Sequence, residues 1–191
     1  MVWRRSPVPE ALLGQAQACV LVAARTASFF QAPTAANAFS VHEARLAARR
    51  LRERTQAALK GLCRDWQTLS RLFDAAAQQA AAGAAEGYRF NISAAGGWAA
   101  MAGGLRDATR DLAEALAAVQ DGRRCEALIV TAKRRAAEVE RLRRGARTQA
   151  LNEPNVVVEL KERTVLRRLS QSAEACQQAA DCMAEVLEAR A

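Results

Sequence analysis

The strongest constraint on this chain is a repeat in its last stretch, residues 160–190. Apolar residues recur there at alternating steps of three and four, at Leu166, Leu169, Ala173, Cys176, Ala180, Met183 and Leu187. This spacing is the 3.5-residue period of a helix that presents one apolar stripe to partner helices. No Pro or Gly interrupts the chain after Asn155, and good helix formers dominate it. Because an isolated helix is marginal in water, the rest of the chain must supply its packing partners.

The same pattern predicts five more helices before the last one. The predicted starts are Ser6 with Pro7, Ser40 in a capping box with Glu43, Asp65, and Gly96 with Gly97. Asp121 and Gly122 form a predicted turn before the fifth helix, and Asn155 is the predicted N-cap of the sixth. The predicted ends are near residue 31, at Leu62, at Gly83 with Gly87, at Val119 and at residues 152–154. The only strand-like segment is the short run 156–158. The sequence therefore predicts an all-α bundle of six long helices.

A weak internal repeat divides the chain into two halves. Leu69, Leu72 and Ala76 lie 97 residues before Leu166, Leu169 and Ala173. We therefore expect one helical domain over residues 1–191, built as two pseudo-symmetric three-helix bundles over about 1–87 and 88–191. Glycines at 96, 97, 103 and 104 fall at the start of the fourth helix, where they lower helix stability. Their presence predicts the close approach of another helix.

Composition leaves little material for catalysis or for a zinc site. His42 is the only histidine, and the five cysteines at 19, 63, 125, 176 and 182 form no CxxC pair. We interpret them as small buried side chains in a reducing cytosol. No stretch has the roughly 18 uninterrupted apolar residues that a membrane-spanning helix requires. These features predict a non-enzymatic protein of the cytoplasm, either free or peripheral at the inner membrane.

The formal net charge of +8 indicates an anionic partner: nucleic acid, an anionic membrane surface or an acidic protein face. Much of the charge lies on the second and fifth predicted helices. The predicted partner-facing basic surface consists of Arg45, Arg49, Arg52, Lys133, Arg134, Arg135 and Arg141. No aromatic residues interleave these arginines, and Glu residues share the same faces. Specific nucleic-acid binding is therefore not expected.

Several short segments carry a family resemblance. They are Glu43, Arg64-Asp65-Trp66, Leu69 and Phe73-Asp74 in the first half, and Arg144, Ala150-Leu151, the 152–154 link, Leu160-Lys161, Leu169, Cys176, Ala179 and Ala180 in the second. In these residues the chain resembles the PhoU-like phosphate-transport regulators, in particular the branch called Pit accessory proteins. The resemblance implies two pseudo-symmetric three-helix bundles. It also implies a regulatory role whose partner is a phosphate transporter or another membrane-associated protein.

The metal-binding motif of that family is only half present. The family places two acidic residues four apart on each of four helices. The matching pairs here are Glu43 with Ala47, Asp74 with Gln78, Ala136 with Glu140, and Ser170 with Glu174. Losing half the carboxylates removes half the ligands and half the compensating charge. We therefore expect no metal or other cofactor, with Glu43, Asp74, Glu140 and Glu174 as weak candidate ligands that instead pair with arginines, such as Glu140 with Arg144.

The leading hypothesis is a non-enzymatic regulator of inorganic phosphate transport that acts through protein–protein contacts. The alternative is a basic helical protein that binds nucleic acid or an anionic membrane surface. A homo-oligomer is compatible with either hypothesis.

Overall fold

The fold is known from a computed structural model that describes residues 8–62, 64–92, 97–150 and 155–189, with the backbone alone at 149 and 150. The helices are α1 (Glu10–Gln31), α2 (Ala35–Ala58), α3 (Arg64–Arg89), α4 (Trp98–Ala117), α5 (Gly122–Ala150) and α6 (Val156–Glu188). The described ranges contain no strand, and residues 156–158 form the first turn of α6. The prediction of a six-helix, all-α chain is confirmed.

Four helices form the centre of the bundle, and two lie outside it. Helix α3 packs along α6, and α1 packs along α4, while α1 also contacts α3 and α4 contacts α6. Helix α2 lies against α1 and α3, and α5 lies against α4 and α6. The two outer helices are therefore the second helix of each proposed half. The pseudo-symmetry of the halves stays a prediction.

The predicted apolar stripe of α6 faces the core. Leu166, Leu169, Ala173, Cys176, Ala180 and Met183 are buried, and Leu187 is partly buried. They belong to one continuous cluster that includes Phe29, Phe73 and Met101. A single cluster means that α6 is held by both halves of the chain and not by its neighbours in sequence alone.

Glycines allow close helix packing, although not always where the sequence suggested. A Cβ atom on Gly104 would lie 2.8 Å from Val139 Cγ2, so α4 and α5 approach closely there, as predicted. Gly97 and Gly103 have no such neighbour, and Gly96 lies outside the described residues. Gly83 and Gly87 were expected to end α3, but that helix continues to Arg89. Both glycines are buried within α3. A Cβ atom would lie 3.3 Å from Leu169 at position 83 and 3.1 Å from Phe29 at position 87, so the missing side chain allows close packing.

Helix starts are partly corrected. Helix α2 begins at Ala35 and not at Ser40, because the Thr34 side chain accepts a hydrogen bond from the Asn37 N–H and caps the helix six residues earlier. The predicted cap of α6 is confirmed, since Asn155 Oδ1 accepts from the Val157 and Val158 N–H groups. Helix α1 begins at Glu10, after the non-helical Val8 and Pro9, so the prediction that it starts at Ser6 and Pro7 is wrong. The link 152–154 and Cys63 lie outside the described residues.

Candidate functional site

The four candidate metal ligands are placed in different surroundings. Glu43 and Glu174 are exposed on α2 and α6, Glu140 is half-buried on α5, and Asp74 is buried on α3. Within the described ranges, no three His, Cys, Asp or Glu side chains come together in a group that could hold a metal ion. The residues present therefore do not fit the family's carboxylate cluster.

Two arginines of α2 hold Asp74 instead. Arg45 Nη1 lies 3.0 Å from Asp74 Oδ1, and Arg52 Nη1 lies 2.9 Å from Oδ2. The Arg45 contact has the distance of an ion pair without the angle of a hydrogen bond, since neither atom has a hydrogen-bond partner among the described residues. Asp74 is only 7% exposed, so its charge depends on these two neighbours. We call Arg45, Asp74 and Arg52 the α2–α3 clamp.

The expected arginine partner of Glu140 is also corrected. Arg143, and not Arg144, binds it, with 2.9 Å between Arg143 Nε and Glu140 Oε2. The other oxygen, Oε1, accepts a 2.5 Å hydrogen bond from Ser170 Oγ on α6. Arginine three residues along a helix reaches a glutamate as readily as arginine four residues along, so sequence spacing could not separate the two.

Three of the seven residues of the predicted basic surface are partly buried in ion pairs between helices, and a fourth, Lys133, forms such a pair at the surface. Arg45 and Arg52 belong to the α2–α3 clamp, and Arg135 reaches Asp107 and Asp111 of α4 at 3.2 and 2.5 Å. Their side chains are 19% to 35% exposed, because each lies between two helices. The other four residues lie at the surface: Arg49 pairs with Glu53, Lys133 with Asp181 and Arg141 with Glu138, and no ion pair of Arg134 is found among the described residues. That these four face a partner stays a prediction.

A different group of arginines lines a cleft between α5 and α6. The cleft has a volume of about 440 Å³ and is lined by Arg143, Arg147, Leu160, Arg163, Thr164, Leu166, Arg167, Ser170 and Gln171. Four of these side chains are arginines, and none is a carboxylate. We call this site the α5–α6 cleft. Its volume lies in the range of small-ligand sites, which span roughly 300–1,000 Å³.

The positive charge of the α5–α6 cleft is only partly balanced. Arg143 is paired with Glu140, and Arg163 Nη1 lies 3.2 Å from Glu159 Oε1. Arg147 and Arg167 make no ion pair within the described ranges. Two guanidinium groups of the cleft are therefore without an ion-pair partner in the part of the chain that the structure describes.

The spacing of arginines in the sequence indicates this cleft. Arg143 and Arg147 are four residues apart, as are Arg163 and Arg167, so each pair shares one helix face. The two pairs also lie eight and twelve residues on either side of Asn155. Helices joined by a short link run antiparallel, and residues equally far from the link then lie at the same level. Symmetric arginine pairs across a predicted helix link thus indicate a basic cleft.

A second surface feature lies on α2. Phe39 and Leu46 are 61% and 41% exposed, and Arg50 follows four residues after Leu46. Spacings of seven and four residues place all three on one face, opposite the buried Val41, Ala44 and Ala48. We call Phe39, Leu46 and Arg50 the α2 outer stripe. His42, the only histidine, is exposed on the same helix.

The cysteines that the structure describes are buried, as predicted: Cys19, Cys125, Cys176 and Cys182. Burial, with the negative charge of Asp74 nearby, raises the pKa of Cys19 well above its usual value. Burial raises the pKa of Cys176 to about 12. Both thiols stay protonated at neutral pH and are poor nucleophiles.

Comparison with known proteins does not assign a family. A scan against protein-family models gives no match, and a search of curated proteins gives no relative. None of the described helices is long and apolar enough to cross a membrane. The resemblance to PhoU-like regulators therefore remains an expectation from the sequence.

Proposed function

We propose that this chain is a non-enzymatic accessory protein of inorganic phosphate transport, which docks on the cytoplasmic face of a phosphate transporter. The observation that carries the docking proposal is the α2 outer stripe, where a large aromatic and a leucine lie exposed beside arginine. The transport context comes from the resemblance to PhoU-like regulators.

The α2 outer stripe has the composition of a protein-binding surface. Binding energy at interfaces concentrates in aromatic and arginine side chains at the centre of the contact, with charged residues around them. Phe39 and Leu46 would supply the apolar centre, and the exposed Arg49, Arg50 and Arg54 the basic surround. Among the described helices, α2 packs closely against α1 and α3, and Phe39 and Leu46 remain exposed on its outer face. The charge favours an acidic surface on the partner.

The test is binding of the purified chain to the phosphate permease of the same organism, reconstituted in nanodiscs of neutral lipid. We expect saturable binding that Phe39→Ala with Leu46→Ala weakens by at least about tenfold, the effect of losing a hot spot. Leu21→Ala with Val130→Ala is the matched control, since both residues are exposed and apolar on other helices. Binding that is absent, or that the control variant weakens equally, would contradict the proposal.

The second candidate function is binding to an anionic membrane surface. Val156, Val157 and Leu160 are more than half exposed in the first turns of α6, beside the arginines of the α5–α6 cleft. Apolar side chains next to basic ones are typical of membrane-surface helices. Flotation with vesicles that contain anionic lipid tests it, and Val156→Ser with Leu160→Ser should abolish flotation if this candidate is right.

The alternative hypothesis also includes nucleic-acid binding, and the salt dependence of the affinity distinguishes a specific nucleic-acid site from nonspecific charge attraction. Binding through +8 of charge alone should disappear by about 0.2 M salt, because its affinity falls steeply with counterion release. Micromolar or tighter binding to duplex or single strands at 0.2 M salt would favour that function over docking.

A further inference from the structure

We propose that the α5–α6 cleft binds a phosphate group that carries an acidic proton, either inorganic phosphate or a phosphate monoester. Arg147 and Arg167 would be the main ligands. The proposal concerns a different surface from the α2 outer stripe and does not depend on docking there.

The charge balance points to a dianion. Four guanidinium groups line the α5–α6 cleft, and the two carboxylates bound to them, Glu140 and Glu159, compensate two of those charges. The remaining charge of about two matches hydrogen phosphate near neutral pH, which carries about −1.5 to −2 together with a proton; a phosphate monoester carries such a proton only as its monoanion. Guanidinium groups are also the donors that pair best with phosphate oxygens, since their parallel N–H groups bind two oxygens at once.

The hydrogen-bond inventory points to the proton. The two hydroxyl groups of the cleft already donate elsewhere, Ser170 Oγ to Glu140 and Thr164 Oγ1 to the Leu160 carbonyl. The side-chain oxygen of Gln171 is buried and has no hydrogen-bond partner within the described ranges. A buried acceptor without a donor is costly, so a rotation of the Gln171 side chain that brings this oxygen to a donor in the cleft would be favourable. A hydrogen phosphate supplies such a donor, with oxygens for the arginines and an O–H for Gln171.

The dimensions leave room for more than one source of this group. The volume of about 440 Å³ exceeds what a single phosphate needs, and Leu160 at the rim is exposed next to Val156 and Val157. Inorganic phosphate would enter from solution. A phosphate monoester lipid headgroup would enter with its acyl chains beside the exposed valines.

In the first experiment, isothermal titration calorimetry measures the binding of phosphate and of sulfate to the full chain at pH 7 and constant ionic strength. Sulfate has the same shape but no proton at this pH. We expect saturable phosphate binding and at least tenfold weaker sulfate binding. The double variant Arg147→Gln with Arg167→Gln should bind phosphate at least tenfold more weakly than the parent chain. The matched control is Arg54→Gln with Arg134→Gln, which removes the same charge from exposed positions and should change affinity less than twofold.

The second experiment separates the two sources. Vesicles of phosphatidylcholine with phosphatidic acid, a monoester, are compared with vesicles of equal charge that contain phosphatidylglycerol, a diester without the proton. Preference for phosphatidic acid without binding of free phosphate assigns the lipid headgroup, and saturable free phosphate binding assigns the soluble anion. Circular dichroism confirms that each variant is folded.

Three outcomes overturn the proposal. They are no saturable binding to either source, equal affinity for sulfate and phosphate, and an equal loss in the two double variants, which would mean that total charge and not the cleft attracts the anion. Failure of the docking proposal is recognised separately, by loss of permease binding with phosphate affinity intact.

Discussion

The α2–α3 clamp and the α5–α6 cleft both contain arginine pairs between two helices, but the arginines are in opposite electrostatic situations. In the clamp, Arg45 and Arg52 surround one buried aspartate between an outer and a central helix. In the cleft, Arg147 and Arg167 lie between the other outer helix and its central neighbour, and no described carboxylate pairs with them. The number of arginines is therefore a poor guide to a binding surface. Whether arginines can bind an external anion depends on whether the neighbouring helix places a carboxylate beside them.

The predicted repeat offers a hypothesis for the difference. With the 97-residue offset that relates Leu69 to Leu166, Asp74 falls opposite Gln171, and with the family's motif it falls opposite the neighbouring Ser170. The carboxylate of Asp74 is satisfied inside the chain by two guanidinium groups. The amide of Gln171 carries no charge, and among the described residues its oxygen has no hydrogen-bond partner and Arg147 and Arg167 have no ion-pair partner. An acid-to-amide change at a repeated position would thus convert a structural ion pair into an anion site.

The largest expected effect comes from removing the carboxylate of the clamp. Asp74→Asn leaves two arginines that are 19% and 35% exposed without their counter-charge. Because breaking a buried ion pair leaves a charge uncompensated, we expect a loss of about 3 kcal/mol in the free energy of unfolding, measured in urea. Glu43→Gln, at an exposed carboxylate of α2, should change it by less than about 0.5 kcal/mol. A loss below about 1 kcal/mol for Asp74→Asn would mean that the clamp does not hold α2.

The second prediction asks what holds α5 in place of a clamp. Gly104→Ala forces a methyl group to within 2.8 Å of the buried, branched Val139 side chain, so it should cost about 1–3 kcal/mol. Gly103→Ala meets no atom within 4 Å, and it should stabilise the helix by about 0.5–1 kcal/mol through better helix propensity. Thermal unfolding of the two variants compares them directly. If both substitutions changed the stability in the same direction, close packing of α4 and α5 at Gly104 would not be a constraint.

The helices could be predicted from the sequence because periodicity reports burial. The stripe from Leu166 to Met183 is buried as its spacing required. Local signals failed where tertiary packing overrode them: Gly83 and Gly87 were read as a helix end, but they are sites of contact with Leu169 and Phe29. Ser40 was read as a cap because its capping box is complete, yet the helix-forming residues from Ala35 to Ala38 extend α2 to Thr34.

The arginine partners could not be predicted in the same way. Which side chain meets Asp74 depends on the register between α2 and α3, and periodicity within one helix says nothing about register between two. The α5–α6 cleft is an exception, because its symmetry about the link makes the register readable. The sequence pattern therefore predicts an open surface for Arg45 and Arg52 and does not single out Arg147 and Arg167.

The third prediction concerns pH and the ion pairs between α4 and α5. Burial alone would raise the pKa of Asp107, but the hydrogen bond from Arg106 and the charges of Arg106, Arg110 and Arg135 outweigh it and lower that pKa below its usual value. A carboxyl with a lowered folded-state pKa stabilises the protein above its unfolded pKa, about 3.9, and loses this contribution as pH falls through the folded value. Because these arginines are a third to a half exposed, the contribution is about 0.5–1 kcal/mol.

Asp107→Asn tests this contribution. The variant should be less stable than the parent at pH 7 by that amount, and the difference should vanish near pH 2, as urea unfolding at a series of pH values would show. A difference that stays constant over this range would assign the effect to packing and not to charge.

The smallest expected effect comes from the reverse of the first substitution. Gln171→Glu gives the α5–α6 cleft the carboxylate that Asp74 gives the clamp, with almost no change of shape. Since Arg147 and Arg167 are exposed, the new ion pairs should add only about 0.5 kcal/mol at low salt, and 0.5 M salt should remove most of that gain. The same substitution should abolish phosphate binding, because the carboxylate occupies the arginines and repels the anion. A variant that is destabilised by more than about 1 kcal/mol would place Gln171 out of reach of these arginines, and it would separate the cleft from the clamp as unrelated structures.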